Sequence, residues 1–332
     1  MSFTRVLGQN LAKQIIKSAL ESSSVAHAYL FYGPESIGKK LTAIEFAKAL
    51  NCSTPGPDGS CDVCTSCRKI EQRIHPDFYL IEPSKTTPTA KEGAIRIDEI
   101  RELQKKLGFQ PYEGKTKVAI LDCVELMNLQ AGNSFLKTLE EPTPTTVLIL
   151  IASNLHQLLP TVISRCQRIQ FTPLPMEAIK QILRTEDVDP DKLDLQASHS
   201  RGQVNRALEH DTAQSTQYRQ DLVRMIETVS LDNVEVVFEW ARAWSKQSDA
   251  LSAVLDQLMS LLRDLAYLKV SNNHDLYSKD LAKQLKPLAA KKTLPELLNM
   301  FDSVQQTKYA LSANANTQLS LENMFLRFCD AA

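Results

Sequence analysis

The sequence lacks any run approaching the roughly 20 uninterrupted apolar residues of a membrane-spanning helix, and its opening stretch, MSFTRVLGQN, lacks the charged-then-apolar build of a secretory signal. Both absences argue against a membrane or secreted protein and make the cytoplasm the expected compartment. A charge excess is missing too. The 38 basic and 39 acidic side chains leave a net charge of −1, so no global field draws the chain to phosphate backbones and any DNA contact must be local or shared with partners. Low-complexity and disordered composition is excluded by 43% hydrophobic and 23% charged residues, which is ordinary globular usage. The sequence carries no internal repeat. Its 332 residues suit two or three folding units of about 100 to 200 residues each.

Seven cysteines form an odd count, and four of them crowd into Cys52, Cys61, Cys64 and Cys67. A disulfide framework spread over a small secreted domain does not look like this. Thiols two residues apart at Cys61, Cys64 and Cys67, with a fourth at the end of a preceding helix, offer Zn2+ four soft ligands in a tetrahedron with no position left for water. The expected metal site is therefore closed and structural; the alternative is four free or transiently oxidised thiols. His75 is surplus to such a set and reads as a surface or packing residue, and Cys123, Cys166 and Cys329 read as small buried hydrophobes.

Apolar spacing predicts a helix over residues 11–20, a buried strand over 26–32 and a helix over 41–50. Turn-forming loops follow at 53–60 and 83–93, then a helix over 95–107, a strand over 117–122 and a helix over 126–141 stopped by Pro142. The β-branched run TTVLILIA, residues 145–152, is the last strand read. Strands alternating with helices predict a parallel sheet covered on both faces. Beyond Phe171, Pro173 and Pro175 mark a boundary, and nearly everything after Met176 has helical spacing, with polar stretches at 210–220 and 271–273.

Between the first strand and its helix lies GPESIGKK, residues 33–40. In GxxxxGK[ST] loops the backbone N–H groups cradle phosphates, the lysine reaches the β and γ groups, and the final hydroxyl ligates Mg2+. Gly33, Gly38 and Lys39 fit the template. The hydroxyl position holds Lys40, an ammonium that repels a cation. The strand over 117–122 ends in Asp122, suited to positioning a metal, but the next residue is Cys123 rather than a water-polarising carboxylate, and Glu125 stands three places further on. Two readings stand: a loop that still holds ATP or ADP phosphates, and an inherited turn with no ligand. Neither supports Mg2+-assisted hydrolysis.

The segment SRCQRIQF, residues 164–171, supplies Arg165, whose guanidinium is permanently charged and forks onto phosphate oxygens. Alone it reads equally as an interdomain ion pair. Together, HAYLFYGP (27–34), the four-cysteine insert, NSFLKTLEEP (133–142) and SRCQ (164–167) closely resemble the clamp-loader branch of the AAA+ proteins, with VLGQ (6–9) and NANTQLSLE (314–322) in agreement. The resemblance spans nearly the whole chain. The branch's motors, the tau or gamma subunits, keep GKT or GKS and an Asp-Glu pair, where this chain has Lys40 and Cys123. In GQVNRAL (202–208), Asn205 stands where the motors' second sensor arginine would fall, with Arg206 one place later. The three departures align the chain with the branch's non-hydrolysing members.

The resemblance implies an α/β AAA+ domain with a zinc knuckle at residues 1–172, a small helical lid at 173–210 and an all-α collar for oligomerisation at 211–332. It also implies that Arg165 is offered in trans to a neighbouring motor's nucleotide, with Ser164 and Cys166 fixing its loop. Implied partners are tau or gamma ATPase subunits and the delta subunit, with the sliding clamp and primed DNA reached through the complex. Two other functions are weighed against this one: an ATPase using Gly33, Gly38, Lys39 and Asp122, and a free-standing zinc-dependent DNA-binding protein, which neutral charge and the want of a basic run disfavour.

Overall fold

A computed structural model describes residues 3–57, 59–84, 93–186, 188–190, 193–209, 213–229, 234–246, 251–270, 276–278, 281–313 and 315–330. Most of the loop read at 83–93 and the interruption read at 271–273 lie outside the described residues. Among those described, no helix is long and apolar enough to cross a membrane. The chain divides into two compact units, residues 1–179 with 202–204, and residues 180–201 with 205–332.

The first unit is built on strands β1 (Ala28–Tyr32), β2 (Phe78–Ile81), β3 (Lys117–Leu121), β4 (Thr146–Ala152) and β5 (Gln167–Gln170). They pair in parallel in the order β2-β3-β4-β1-β5, with Ala28 opposite Leu148 and Lys117 opposite Thr146. The inner strands are apolar and buried almost end to end because helices cover both faces of the sheet. The order places the carboxyl ends of β1, β3 and β4 side by side, where open parallel sheets hold their ligands. Two strands escaped the sequence reading. β2, FYLI, is too short to show a period, and β5, QRIQ, is an edge strand in which only Ile169 is buried. TTVLILIA is therefore not the last strand: Arg165 precedes one more.

Among the described residues this unit includes the helices α1 (Asn10–Glu21), α2 (Lys39–Asn51), α3 (Thr65–Glu71), α4 (Ile97–Leu107), α5 (Leu129–Glu140) and α6 (Pro160–Ile163). The helix read at 126–141 starts later because residues 124–126 form a 3-10 turn and the Asn128 side chain caps α5 by accepting the Ala131 N–H at 2.7 Å. On one face, Ile100, Leu103 and Leu107 of α4 and Phe135 and Leu139 of α5 pack with Leu30, Leu121 and Leu150 of the sheet. On the other, Phe46 of α2 meets Tyr29 edge-on at 5.2 Å between ring centres, and Phe31 meets Phe171 at 5.1 Å.

The remaining helices are α7 (Met176–Thr185), α8 (Leu193–His199), α9 (Val204–Glu209), α10 (Ala213–Thr228), α11 (Val234–Ser245), α12 (Leu251–Val270), α13 (Ala282–Lys291), α14 (Leu294–Ser312) and α15 (Thr317–Asp330). The core of the second unit gathers Trp244, Leu255, Leu258, Leu262, Met300 and Phe325, with Trp244 edge-on to Phe325 at 5.2 Å. α14 opens with a reciprocal cap, in which Thr293 accepts the Glu296 N–H and Glu296 accepts the Thr293 N–H. The expected combination of a parallel α/β part and an all-helical part is present.

Candidate functional site

The loop from β1 to α2 is held by its two glycines. Gly33 has φ 145°, and a Cβ there would lie 2.2 Å from the Phe171 carbonyl oxygen; Gly38, the N-cap of α2, has φ 94°. Only glycine adopts these angles without strain. Gly33→Ala is expected to lower unfolding stability by at least about 2 kcal/mol, read as a fall in the denaturation midpoint; an unchanged midpoint would show that Phe171 moves aside at no cost.

Lys39 starts α2 and is buried, 7% exposed, with its ammonium donating to the carbonyls of Gly33 at 2.6 Å and Pro34 at 2.5 Å. Burial pulls its pKa down, against the pull of Glu125, Glu35 and Asp122. Lys40 reaches across the sheet edge, 2.7 Å from Asp122 Oδ2 and 2.5 Å from Glu82 Oε1. Its burial lowers the pKa, but the bonds to Asp122 and Glu82 outweigh this and leave it raised. Glu82 is held below the usual carboxylate range, first by the Lys40 hydrogen bond. Lys39, Lys40 and Asp122 line a cleft of about 270 Å3 with Ser36, Cys123 and Ser153.

Cys123 sits at φ 53°, and burial pushes its thiol up to about 12, so it stays protonated and inert near neutral pH. It lines the cleft half-buried, as Cys166 is half-buried elsewhere, and of the three cysteines read as buried hydrophobes only Cys329 is fully so. Glu125 accepts the Ser153 N–H at 2.8 Å through Oε1, while its other oxygen is buried without a hydrogen-bond partner. The fold thus brings Gly33, Gly38, Lys39, Lys40 and Asp122 together as their spacing suggested. Glu82 went unread; its signal is an acid standing directly after a short strand.

Arg165 follows α6, on a turn closed by the Ser164 N–H donating to Pro160 O at 3.0 Å. Its guanidinium is about one-third exposed and lies 2.7 Å from Glu140 Oε1 at the end of α5. It also donates to Thr161 O at 3.0 Å and Ser164 Oγ at 3.3 Å. In the second unit Arg206 pairs with Asp256 at 2.7 Å, and Lys308 pairs with the same carboxylate.

The four clustered cysteines converge. Cys52 ends α2, Cys64 is the N-cap of α3, Cys67 lies one turn further, and the four sulfurs all lie within 4.8 Å of one another. Thiolates about 2.3 Å from a tetrahedral metal stand about 3.8 Å apart, so the cluster is near the size needed and could hold a metal ion. Backbone N–H groups already point at sulfur, Cys61 N to Cys52 Sγ and Cys64 N to Cys61 Sγ, each at 3.3 Å. A hydrogen bond with Thr54 and the N–H groups of Val63 and Cys64 pull the Cys61 thiol down to about 6, whereas burial pushes Cys67 up to about 12. A bound cation reverses the second shift, because coordination deprotonates a thiol outright. The knuckle is tied to α2 by Lys48, 1% exposed, which contacts Glu45 at 2.9 Å, Asp62 at 2.8 Å and Glu71 at 3.0 Å. His75 is a packing residue, 2% exposed, its Nδ1 accepting the Asp77 N–H at 3.1 Å.

Residues 8–175 match the family model described as DNA polymerase III, delta subunit, and residues 213–330 match its C-terminal counterpart. The DNA polymerase III subunit delta' of Bacillus subtilis is 28% identical over 316 residues, 94% of each chain. The subunit delta' of Pseudomonas aeruginosa is 41% identical over 150 residues, 45% of this chain and 44% of that one. The subunit tau of Bacillus subtilis is 34% identical over 212 residues, 62% of this chain and 36% of that one. This chain belongs to the DNA polymerase III delta subunit family.

Proposed function

We propose that the chain is a non-hydrolysing, delta prime-like subunit of the bacterial sliding-clamp loader in the DNA polymerase III holoenzyme. It lends Arg165 to the triphosphate of an adjacent tau or gamma ATPase and has no activity of its own. The observation that carries the reading is the Lys40 ammonium lying 2.7 Å from Asp122, the acid that ends β3. A site whose metal-binding carboxylate is already neutralised, and whose neighbour is an inert thiol, supplies neither Mg2+ nor a water-polarising base. Arg165, by contrast, stands on a hydrogen-bonded turn with part of its guanidinium open to solvent.

In this reading residues 1–172 are the AAA+ module and 173–210 the lid, and residues 211–332 are the collar packing beside the ATPase and delta subunits. Zn2+ on Cys52, Cys61, Cys64 and Cys67 is structural. The sliding clamp and primed DNA are met through the assembled complex. Whether Gly33, Gly38 and Lys39 hold a nucleotide does not bear on the role. The test is twofold. The purified chain with Mg2+ and ATP should release no phosphate above background, and clamp loading by mixed tau or gamma and delta subunits should appear only when the chain is added. Brisk turnover by the chain alone would replace this reading with that of an active ATPase.

A further inference from the structure

The surroundings of the Lys40 ammonium are those of a metal ion. It touches carboxylates from two segments, Glu82 after β2 and Asp122 after β3, and itself belongs to the first turn of α2, so one nitrogen cross-links three pieces of the sheet edge. The two carboxylates are also oriented independently of it. Asp122 Oδ1 accepts the Cys123 N–H at 3.1 Å, and Glu82 Oε2 lies 3.1 Å from Arg73 Nη1. Removing the ammonium would therefore leave two oriented anions, Asp122 in the cleft wall and Glu82 beside it with Arg73 as its remaining partner. Hard divalent cations favour just such oxygen donors and complete their shells with water.

We infer that Lys40 is a built-in substitute for a divalent cation: it closes the cleft to Mg2+ by occupying the place between Asp122 and Glu82, and its loss turns that pair into a cation site. A tethered ammonium needs no free ion and cannot dissociate, so the edge is cross-linked at any magnesium concentration. A second cation entering beside it would meet like-charge repulsion within a few ångströms. The inference deepens the proposed non-hydrolysing reading by naming how the site refuses metal, and its failure can be told apart from failure of that reading.

The test uses the full, zinc-loaded chain and Mn2+ as the probe, followed by electron paramagnetic resonance. Lys40→Thr should gain one Mn2+ per chain with an affinity at least roughly tenfold above the wild type, and Lys40→Thr combined with Asp122→Asn should lose it. Lys40→Gln, one bond shorter but still able to hydrogen-bond without charge, guards against misfolding and should behave as Lys40→Thr. At matched ionic strength Mg2+ should raise the melting midpoint of both single variants by a few degrees and leave the wild type unmoved. If both variants bind Mn2+ no better than the wild type, the substitute-cation inference is wrong while the proposed function stands. If the wild type itself binds Mn2+ in a manner abolished by Asp122→Asn, both fall.

Discussion

Arg165→Ala is expected, on the role in trans proposed for it, to slow ATP hydrolysis at the neighbouring site of the reconstituted clamp loader by about 10³-fold, the lower end of what such an arginine contributes to phosphoryl transfer. The transferring phosphoryl group spreads charge over its equatorial oxygens, and a guanidinium delivered into a dry interface neutralises it without solvent reorganisation. The geometry suits a group that must change partners. Arg165 rests on Glu140, which is about half exposed, and ion pairs at such positions contribute at most about 1 kcal/mol. Exchanging Glu140 for a triphosphate therefore costs little. For the same reason the alanine variant should fold and assemble normally, which gel filtration of the complex and an unchanged melting midpoint would verify. Arg165→Lys should not restore the rate, since an ammonium lacks the planar fork. Normal turnover by the alanine complex at saturating clamp and DNA would remove Arg165 from the role.

What the sequence disclosed follows the strength of local signals. β4 and α2 were plain because long apolar runs and helical stripes report burial directly, and Gly33, Gly38, Lys39 and the four cysteines were plain because their chemistry needs fixed spacing. β5 was invisible: in QRIQ only Ile169 enters the core, and the strand exists because β1 offers it a free edge. The second partner of Lys40 was equally hidden. Lys40 and Glu82 are 42 positions apart, brought together by the parallel pairing of β2 with β3, and no spacing rule reaches across a sheet edge. The same holds for Arg165 and Glu140, and for Lys48, whose place in a helical stripe gave no hint that it is a buried clamp on the knuckle. Sequence thus revealed a lysine where the loop template has a hydroxyl; the fold revealed that this lysine is held in an ion pair.

Cys64→Ser should abolish metal retention and loosen residues 53–66 while leaving the rest of the chain folded. A structural four-thiolate zinc site contributes roughly 10 to 16 kcal/mol in small modules, and a serine hydroxyl is too hard and too weakly acidic to replace the lost thiolate. Among its described residues the insert is a run of turns between α2 and α3, with a short Gly56–Gly59 bridge and Ser60 Oγ donating to Asp62 at 2.8 Å. The boundary of the loosening is set by Lys48, whose buried ammonium binds Glu45 within its own helix and Glu71 on α3 as well as Asp62 in the insert. With the metal gone, the bond to Asp62 is the first of the three to weaken, because Asp62 lies between the metal-binding thiols while Glu45 and Glu71 stand on helices. α2 stays, since Phe46 remains packed on Tyr29 of the sheet. Metal analysis should therefore fall from one zinc per chain to near zero, hydrogen exchange should accelerate between Cys52 and Cys67 alone, and Arg165-dependent turnover by the complex should survive. Zinc absent from the unaltered protein would refute the site; exchange spreading through β1 and β4 would show that the knuckle supports the whole sheet rather than itself.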